Sequence, residues 1–128
     1  MLRLSSSPNS ICELEVFVQQ LSEKYKICQE RYPDILISLT EAVNNAIIHG
    51  NRENQVKEVV VEHTYNEKGL TFVVSDEGNG FDSRDIPDPT GVENLEKLGG
   101  RGVFLMRQLA DRLRFTNNGR SVVIFFNV

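Results

Sequence analysis

Apolar residues recur at helical spacing in the N-terminal third of the chain. After the turn-forming stretch Ser6–Ser10, whose hydroxyl residues can cap a helix, apolar positions follow three or four residues apart at Ile11, Leu14, Val18, Leu21 and Tyr25. This spacing predicts a first helix over roughly Ser10–Tyr25. A second helix is predicted to open at Tyr32-Pro33-Asp34, because proline is tolerated in a first helical turn and an acid there suits the helix dipole.

Two other stretches show the alternation that is typical of strands. Leu2 and Leu4 alternate with polar residues and predict a short N-terminal strand. Lys57–Tyr65 is rich in β-branched residues, and Leu70–Ser75 alternates after the turn sequence Asn66–Gly69. Together they predict a hairpin.

The C-terminal third predicts a third helix over Val103–Leu113, followed by a second hairpin. The strands of this hairpin, Leu113–Thr116 and Ser121–Val128, flank Asn118-Gly119, a dipeptide that favours tight turns. The order of elements is β-α-α-β-β-loop-α-β-β. It predicts an α+β fold, a two-layer α/β sandwich in which helices cover one face of a mostly antiparallel sheet. No repeat or linker divides the sequence, so we expect a single domain over residues 1–128.

Composition limits the classes of function. The chain has 128 residues, 40% of them hydrophobic, and a formal net charge of −4, which suits one folded core and gives no basic surface for nucleic acid. It has no apolar stretch long enough to cross a membrane and no recognisable signal peptide. Cys12 and Cys28 match neither a zinc site nor a disulfide framework. We therefore expect a cytoplasmic protein with free thiols and with no nucleic-acid or membrane partner.

The second helix carries a polar strip. At about 100° per residue its apolar positions share one face, at Leu36, Leu39, Val43, Ala46, Ile47 and Gly50. The opposite side takes four polar residues, Ser38, Glu41, Asn45 and His49. Glu41 and Asn45 lie one turn apart, so their side chains are neighbours. A solvated helix face explains such a pair, but the apolar Ile48 on the same side is less typical of one.

A second candidate is the segment Asp76–Phe81, which follows an apolar strand directly. Its Asp, Gly and Asn residues are those of an ordinary turn, but it leads into about twenty irregular residues, and loops of that length are usually functional or disordered. An aspartate at a strand end can accept a hydrogen bond from an exocyclic amine, and the neighbouring glycines let a flat ligand approach the backbone.

A third candidate is Gly99-Gly100-Arg101-Gly102, which precedes the third helix. Backbone N–H groups at a helix N-terminus can hold a phosphate, although an ordinary helix start explains these glycines equally well. The chain has no GxxxxGK[ST] motif, and this segment lacks the third glycine of a dinucleotide fingerprint.

The order of the three segments is more specific than any one of them. E-x-x-x-N-A on a helix, D-x-G-x-G after a strand and G-x-G opening a later helix are the motif set of the GHKL (Bergerat-fold) ATP-binding superfamily. From Ile35 onward the chain resembles most closely its small single-domain members, the anti-sigma-factor serine/threonine protein kinases. The strings LTEAVNNAIIHGN, DEGNGFD and GGRGVFLMRQLAD carry this resemblance.

The resemblance implies a role for each residue of the helix motif. Asn45 matches the asparagine that binds Mg²⁺ through its side-chain oxygen, while phosphates and water supply the other ligands. Glu41 matches the general base that accepts a proton from the attacking hydroxyl. Sensor histidine kinases usually carry asparagine at that position, and their phosphoacceptor histidine lies on a separate domain, so we do not expect a complete sensor kinase here.

The resemblance also assigns the nucleotide contacts. Asp76 matches the aspartate that binds the adenine amino group, and Gly78 and Gly80 match the glycines that shape the base pocket. The phosphate loop corresponds to four residues, Gly100, Arg101, Gly102 and Val103. The segment 81–99 matches the lid, and Ser121 matches a position near the adenine.

Cofactors and partners follow from the same resemblance. It implies ATP and Mg²⁺ as cofactors, an anti-anti-sigma factor as the phosphorylated substrate and a sigma factor as the sequestered target. It also implies a homodimer, with the first strand and helix as its candidate surface. Two alternatives stay open: a non-catalytic adaptor whose lid is ordered by ATP and presents a protein-binding surface, and a domain whose glycine segments are only structural.

Overall fold

The computed structural model describes residues 1–7, 9–51, 57–77, 100–116 and 120–128. The elements along the chain are β1 (Leu2–Ser5), α1 (Ser10–Lys24), α2 (Tyr32–Asn45), a π-helical turn (Ala46–Gly50), β2 (Glu58–Asn66), β3 (Gly69–Ser75), α3 (Gly100–Leu109), β4 (Arg112–Thr116) and β5 (Ser121–Phe126). The strands of this described part form one antiparallel sheet in the order β1-β2-β3-β5-β4. The predicted α+β architecture is confirmed.

Alternation along the strands decides which face of the sheet the helices cover. In β3, Leu70, Phe72 and Val74 are buried, whereas the residues between them are partly exposed. Their partners in β5 behave in the same way, because the antiparallel register sets buried residues opposite buried ones. The buried strand residues form one core with the apolar sides of α1, α2 and α3. None of the described helices is long and apolar enough to cross a bilayer.

The first hairpin turns where the sequence predicts. The side-chain oxygen of Asn66 accepts a hydrogen bond from the backbone N–H of Lys68 at 2.9 Å, which closes the turn locally. Gly69 follows with φ of +147°, and a Cβ at this position would collide with the carbonyl oxygen of Phe126 on the neighbouring strand. Glycine is therefore required here for backbone conformation and for space.

The second helix does not stop cleanly at Asn45. It continues into the π-helical turn, in which the N–H of Asn51 bonds the carbonyl of Ala46 at 2.7 Å. Such wide turns interrupt the regular hydrogen bonding of an α-helix and are frequent at functional sites. This one comes directly after Asn45, a residue predicted to bind metal.

The third helix differs from its prediction at both ends. It runs over Gly100–Leu109 rather than Val103–Leu113, and β4 already begins at Arg112. The chain leaves the helix early because the N–H of Asp111 donates to the carbonyl of Phe125 in β5 at 2.8 Å. The guanidinium of Arg31 also ties this end of the helix to α2, at 3.4 Å from the carbonyl of Leu109 and 2.6 Å from the carboxylate of Asp111.

Candidate functional site

The first turn of α3 lies directly against the polar strip of α2. A Cβ placed on Gly102 would lie 2.8 Å from Oε2 of Glu41, 3.3 Å from its Cβ and 3.2 Å from Nδ2 of Asn45. Only a hydrogen atom fits in that space, so glycine lets the two helices approach at this point. The structure thus brings together residues from two motifs that are about sixty positions apart in the sequence.

This contact combines three kinds of chemistry. Glu41 and Asn45 are both partly exposed, and they offer a carboxylate and an amide oxygen, which are hard donors that suit Mg²⁺. The N–H groups of Gly100, Arg101, Gly102 and Val103 open α3 and have no acceptor within that helix. A helix N-terminus with free N–H groups attracts anions. An acid, an amide and an anion-binding helix end therefore converge at this point.

The composition of the strip differs from its prediction at one position. Ser38 is fully buried, and its hydroxyl has no hydrogen-bond partner among the residues that the structure describes. It therefore belongs to the packed side of α2 and not to the polar strip. Ile48 and His49 are exposed, as the helical angles predict.

Asp76 lies where the chain leaves β3. Its N–H donates to the carbonyl of Arg120 at 2.9 Å, which extends the pairing of β3 with β5 by one residue. The N–H of Glu77 donates to the side-chain oxygen of Asn51 at 2.8 Å. Both peptide groups that flank the Asp76 side chain are therefore held by hydrogen bonds. The predicted base-pocket glycines Gly78 and Gly80 and the lid 81–99 lie outside the described residues.

Ser121 begins β5 and is 4% exposed. Its hydroxyl lies 2.8 Å from the hydroxyl of Ser75, its partner in the register of β3 and β5. It is thus one residue from the Arg120 carbonyl that holds Asp76. Its contact with adenine stays a prediction.

Asn51 is a residue of this region that the sequence motifs did not single out. It is 1% exposed, and all the hydrogen-bonding groups of its side chain have partners. It is the last residue of the LTEAVNNAIIHGN string. No local feature of the sequence distinguishes it from the other polar residues that follow the helix.

Comparison with known proteins places the chain in a family. The sequence model of the histidine kinase-like ATPase domain matches residues 4–126, which include the second half of β1, the other described strands and the three helices. The chain belongs to the histidine-kinase-like ATPase family. This confirms the superfamily inferred from the three motifs.

This chain is also similar to curated serine-protein kinases. It is 25% identical to the serine-protein kinase RsbW of Bacillus subtilis over 123 residues, which cover 91% of this chain and 77% of that protein. The corresponding protein of Oceanobacillus iheyensis is 25% identical over 122 residues, with the same coverage of 91% and 77%. That of Listeria monocytogenes is 27% identical over 130 residues, which cover 96% of this chain and 83% of the relative.

Proposed function

We propose that the chain is an ATP-dependent serine/threonine protein kinase of the anti-sigma-factor type. The observation that supports this most directly is the close packing of Gly102 against Glu41 and Asn45, which leaves no room for a Cβ at position 102. Transfer of a phosphoryl group needs a positioned base, neutralised phosphates and little other covalent chemistry from the protein. The contact between α2 and α3 supplies groups suited to the first two needs.

Glu41 is the proposed general base. Its carboxylate lies beside the helix end that would hold the phosphates, and it is partly exposed, so an incoming hydroxyl has access to it. The hydroxyl oxygen forms a bond to the γ-phosphorus as the bond from that phosphorus to the bridging oxygen of ADP breaks. Glu41 takes the proton that the hydroxyl releases.

The residues around Asn45 fit a magnesium ion bound with ATP. The donor is the oxygen of an uncharged, partly exposed amide, which is the kind of hard ligand that Mg²⁺ takes, and the first turn of α3 packs against the same residue. When bound, Mg²⁺ neutralises charge on the phosphate oxygens. Asn45 would hold the ion, and the first turn of α3 (Gly100, Arg101, Gly102 and Val103) would hold the phosphates through its N–H groups.

Asp76 is the proposed adenine-recognition residue. A carboxylate at a strand end can accept a hydrogen bond from the exocyclic amine of the base. The bonds from the N–H groups of Asp76 and Glu77 support this role, since they fix the backbone from which the carboxylate projects. Gly78 and Gly80 are proposed to shape the base pocket, Ser121 to lie near the adenine and the segment 81–99 to close over the nucleotide.

The proposed partners are proteins. The similarity to curated serine-protein kinases supports an anti-anti-sigma factor as the substrate and a sigma factor as the sequestered target. A homodimer is proposed through the first strand and helix, because β1 is an edge strand of the described sheet and pairs there with β2. We propose a cytoplasmic location for this assembly.

The kinase is tested by transfer of labelled γ-phosphate from ATP to a purified anti-anti-sigma factor of the same organism. We expect the wild-type chain to label this partner on serine or threonine and Glu41→Gln to lose the transfer while it still binds ATP. If both proteins sequester the partner and neither transfers phosphate, the chain is instead the non-catalytic ATP-binding adaptor. The Glu41→Gln change alters a single oxygen to nitrogen, so it removes the base and keeps the shape of the site.

A further inference from the structure

One buried side chain joins the two parts of the proposed nucleotide site. Asn51 follows the helix that ends with Asn45, and its side chain bonds the segment that carries Asp76. We propose that Asn51 is a positioning residue, which sets the place of the adenine-binding strand end relative to the metal-binding helix. This inference rests on the proposed function for its consequence, and on hydrogen bonds in the described chain for its geometry.

The backbone of Asn51 is tied to the helix. Its N–H donates to the carbonyl of Ala46 at 2.7 Å, which closes the π-helical turn. Ala46 is the residue next to Asn45. The position of the Asn51 backbone is therefore fixed relative to the end of α2, because a single hydrogen-bonded turn separates them.

The side-chain oxygen of Asn51 is tied to the strand end. It accepts the N–H of Glu77 at 2.8 Å, one residue beyond Asp76. The carboxylate of Glu77 in turn accepts the N–H of Glu58 at 3.3 Å. The register of β3 with β2 ends at Ser75, so β2 no longer supplies an acceptor for the Glu77 N–H. The side-chain oxygen of Asn51 supplies this acceptor where the sheet ends.

The side-chain nitrogen of Asn51 explains why the residue is an asparagine. It donates to the hydroxyl of Ser6 at 2.8 Å and to the carbonyl of Glu58 at 3.1 Å. The Ser6 hydroxyl uses its own proton on the carbonyl of Lys57 at 2.7 Å, so it is an acceptor toward Asn51. The site requires two donors on one side and an acceptor on the other, and an asparagine amide has both.

This network gives the link its rigidity. Asn51 is 1% exposed and Ser6 is fully buried, so neither can exchange these bonds for water without opening the structure. In metal sites, groups that hold a ligand residue in place change affinity or activity about 10–100-fold when they are replaced, and we expect an effect of similar size for Asp76. Asn51 orients Asp76 through its hydrogen bond to the N–H of the next residue, Glu77.

The test compares two substitutions in the same network. Asn51→Ala removes the bond to Glu77, whereas Ser6→Ala removes a bond on the far side of the amide and keeps the bond to Glu77. We expect Asn51→Ala to raise the Kd for ATP about tenfold or more, and Ser6→Ala to leave it within about twofold of wild type although both lower the melting temperature. The readouts are calorimetric ATP titration and thermal unfolding, with binding measured well below each melting temperature.

Hydrogen exchange at one amide gives a readout that needs no ligand. The Glu77 N–H should be protected in the wild type and in Ser6→Ala and should exchange faster in Asn51→Ala. Asn51→Asp is the second variant if alanine prevents folding, because it keeps an acceptor for Glu77 and loses the two donors. We expect it to lose thermal stability and to keep more ATP affinity than Asn51→Ala.

Separate outcomes overturn the two proposals. A wild-type protein that binds no ATP overturns the proposed function and the nucleotide role of Asn51 together. If the wild type binds ATP and Asn51→Ala binds it equally well, the positioning role alone is wrong. Equal losses of affinity in Ser6→Ala and Asn51→Ala would likewise assign the effect to general destabilisation.

Discussion

Gly102→Ala should separate the activity of this protein from its stability. The backbone of Gly102 is helical, since the positive-φ glycine of the described residues is Gly69. Alanine is a better helix former than glycine by about 0.5–1 kcal/mol. Considered only as a helix position, residue 102 should therefore tolerate alanine or gain stability from it.

The cost of the substitution falls on the Glu41 carboxylate. The new Cβ would lie 2.8 Å from Oε2 of Glu41, and an ordinary contact begins near 3.4 Å, so this oxygen must move by about 0.6 Å. A carboxylate at the end of a flexible side chain can move that far at little cost in folding free energy. A displacement of about 1 Å in a catalytic group can lower a rate about 100-fold. We therefore expect the phosphoryl-transfer rate to fall about 10- to 100-fold, with the melting temperature unchanged or higher.

The assay measures transfer of labelled phosphate to the anti-anti-sigma partner at saturating ATP, alongside thermal unfolding. Gln108→Ala, at an exposed position of the same helix, controls for the gain in helix propensity. Wild-type transfer by Gly102→Ala would refute the placement of the base.

The remaining predictions concern stability. Ser38→Ala removes a buried hydroxyl with no partner in the described part of the chain. In urea denaturation we expect the free energy of unfolding to be unchanged or up to about 1 kcal/mol higher. A clear loss of stability would contradict this. Arg31→Met breaks a partly buried ion pair to Asp34 and an exposed one to Asp111, and the same measurement should show a loss of about 1 kcal/mol. An unchanged value would mean that these pairs contribute nothing. Burial lowers the pKa of His63 below its ordinary value of 6.5, with the positive N-terminus and Lys24 as smaller causes. The folded state disfavours the charged ring, so this contribution to stability is complete above pH 6.5 and is lost as the pH falls through the lowered pKa. The urea midpoint should therefore drop between about pH 7 and pH 5, less in His63→Gln than in wild type, and equal drops in the two proteins would exclude His63 as the cause.

Local patterns in the sequence predicted most of the fold. The spacing of apolar residues in α1 and α2 and the alternation in β2 and β3 depend on near neighbours. The structure places both ends of α1, β2 and β3, and the start of α2, within about one residue of their predicted positions. Asn66–Gly69 forms the expected turn for the same reason. The three motifs then predicted the family, because the fixed spacing of their glycines and acids depends on contacts with a ligand more than on local folding.

Contacts between distant residues account for what the sequence did not predict. The early end of α3 depends on the bonds of Arg31 to Leu109 and Asp111, nearly eighty residues away along the chain. Ser38 looked exposed because the helical angles of α2 contain no information on how the rest of the chain packs against that helix. Asn51 is an ordinary polar residue in the sequence, and its importance comes from acceptors and donors that three other segments supply.

The most direct test of the central claim is a calorimetric titration of ATP into the purified protein, with and without Mg²⁺, alongside Asp76→Asn and Asn45→Ala. We expect the wild type to bind ATP more tightly with Mg²⁺, Asp76→Asn to lose most of the binding, and Asn45→Ala to lose the dependence on Mg²⁺. Contradiction would come from a wild-type protein that binds no nucleotide. It would also come from an Asn45→Ala protein that responds to Mg²⁺ as the wild type does.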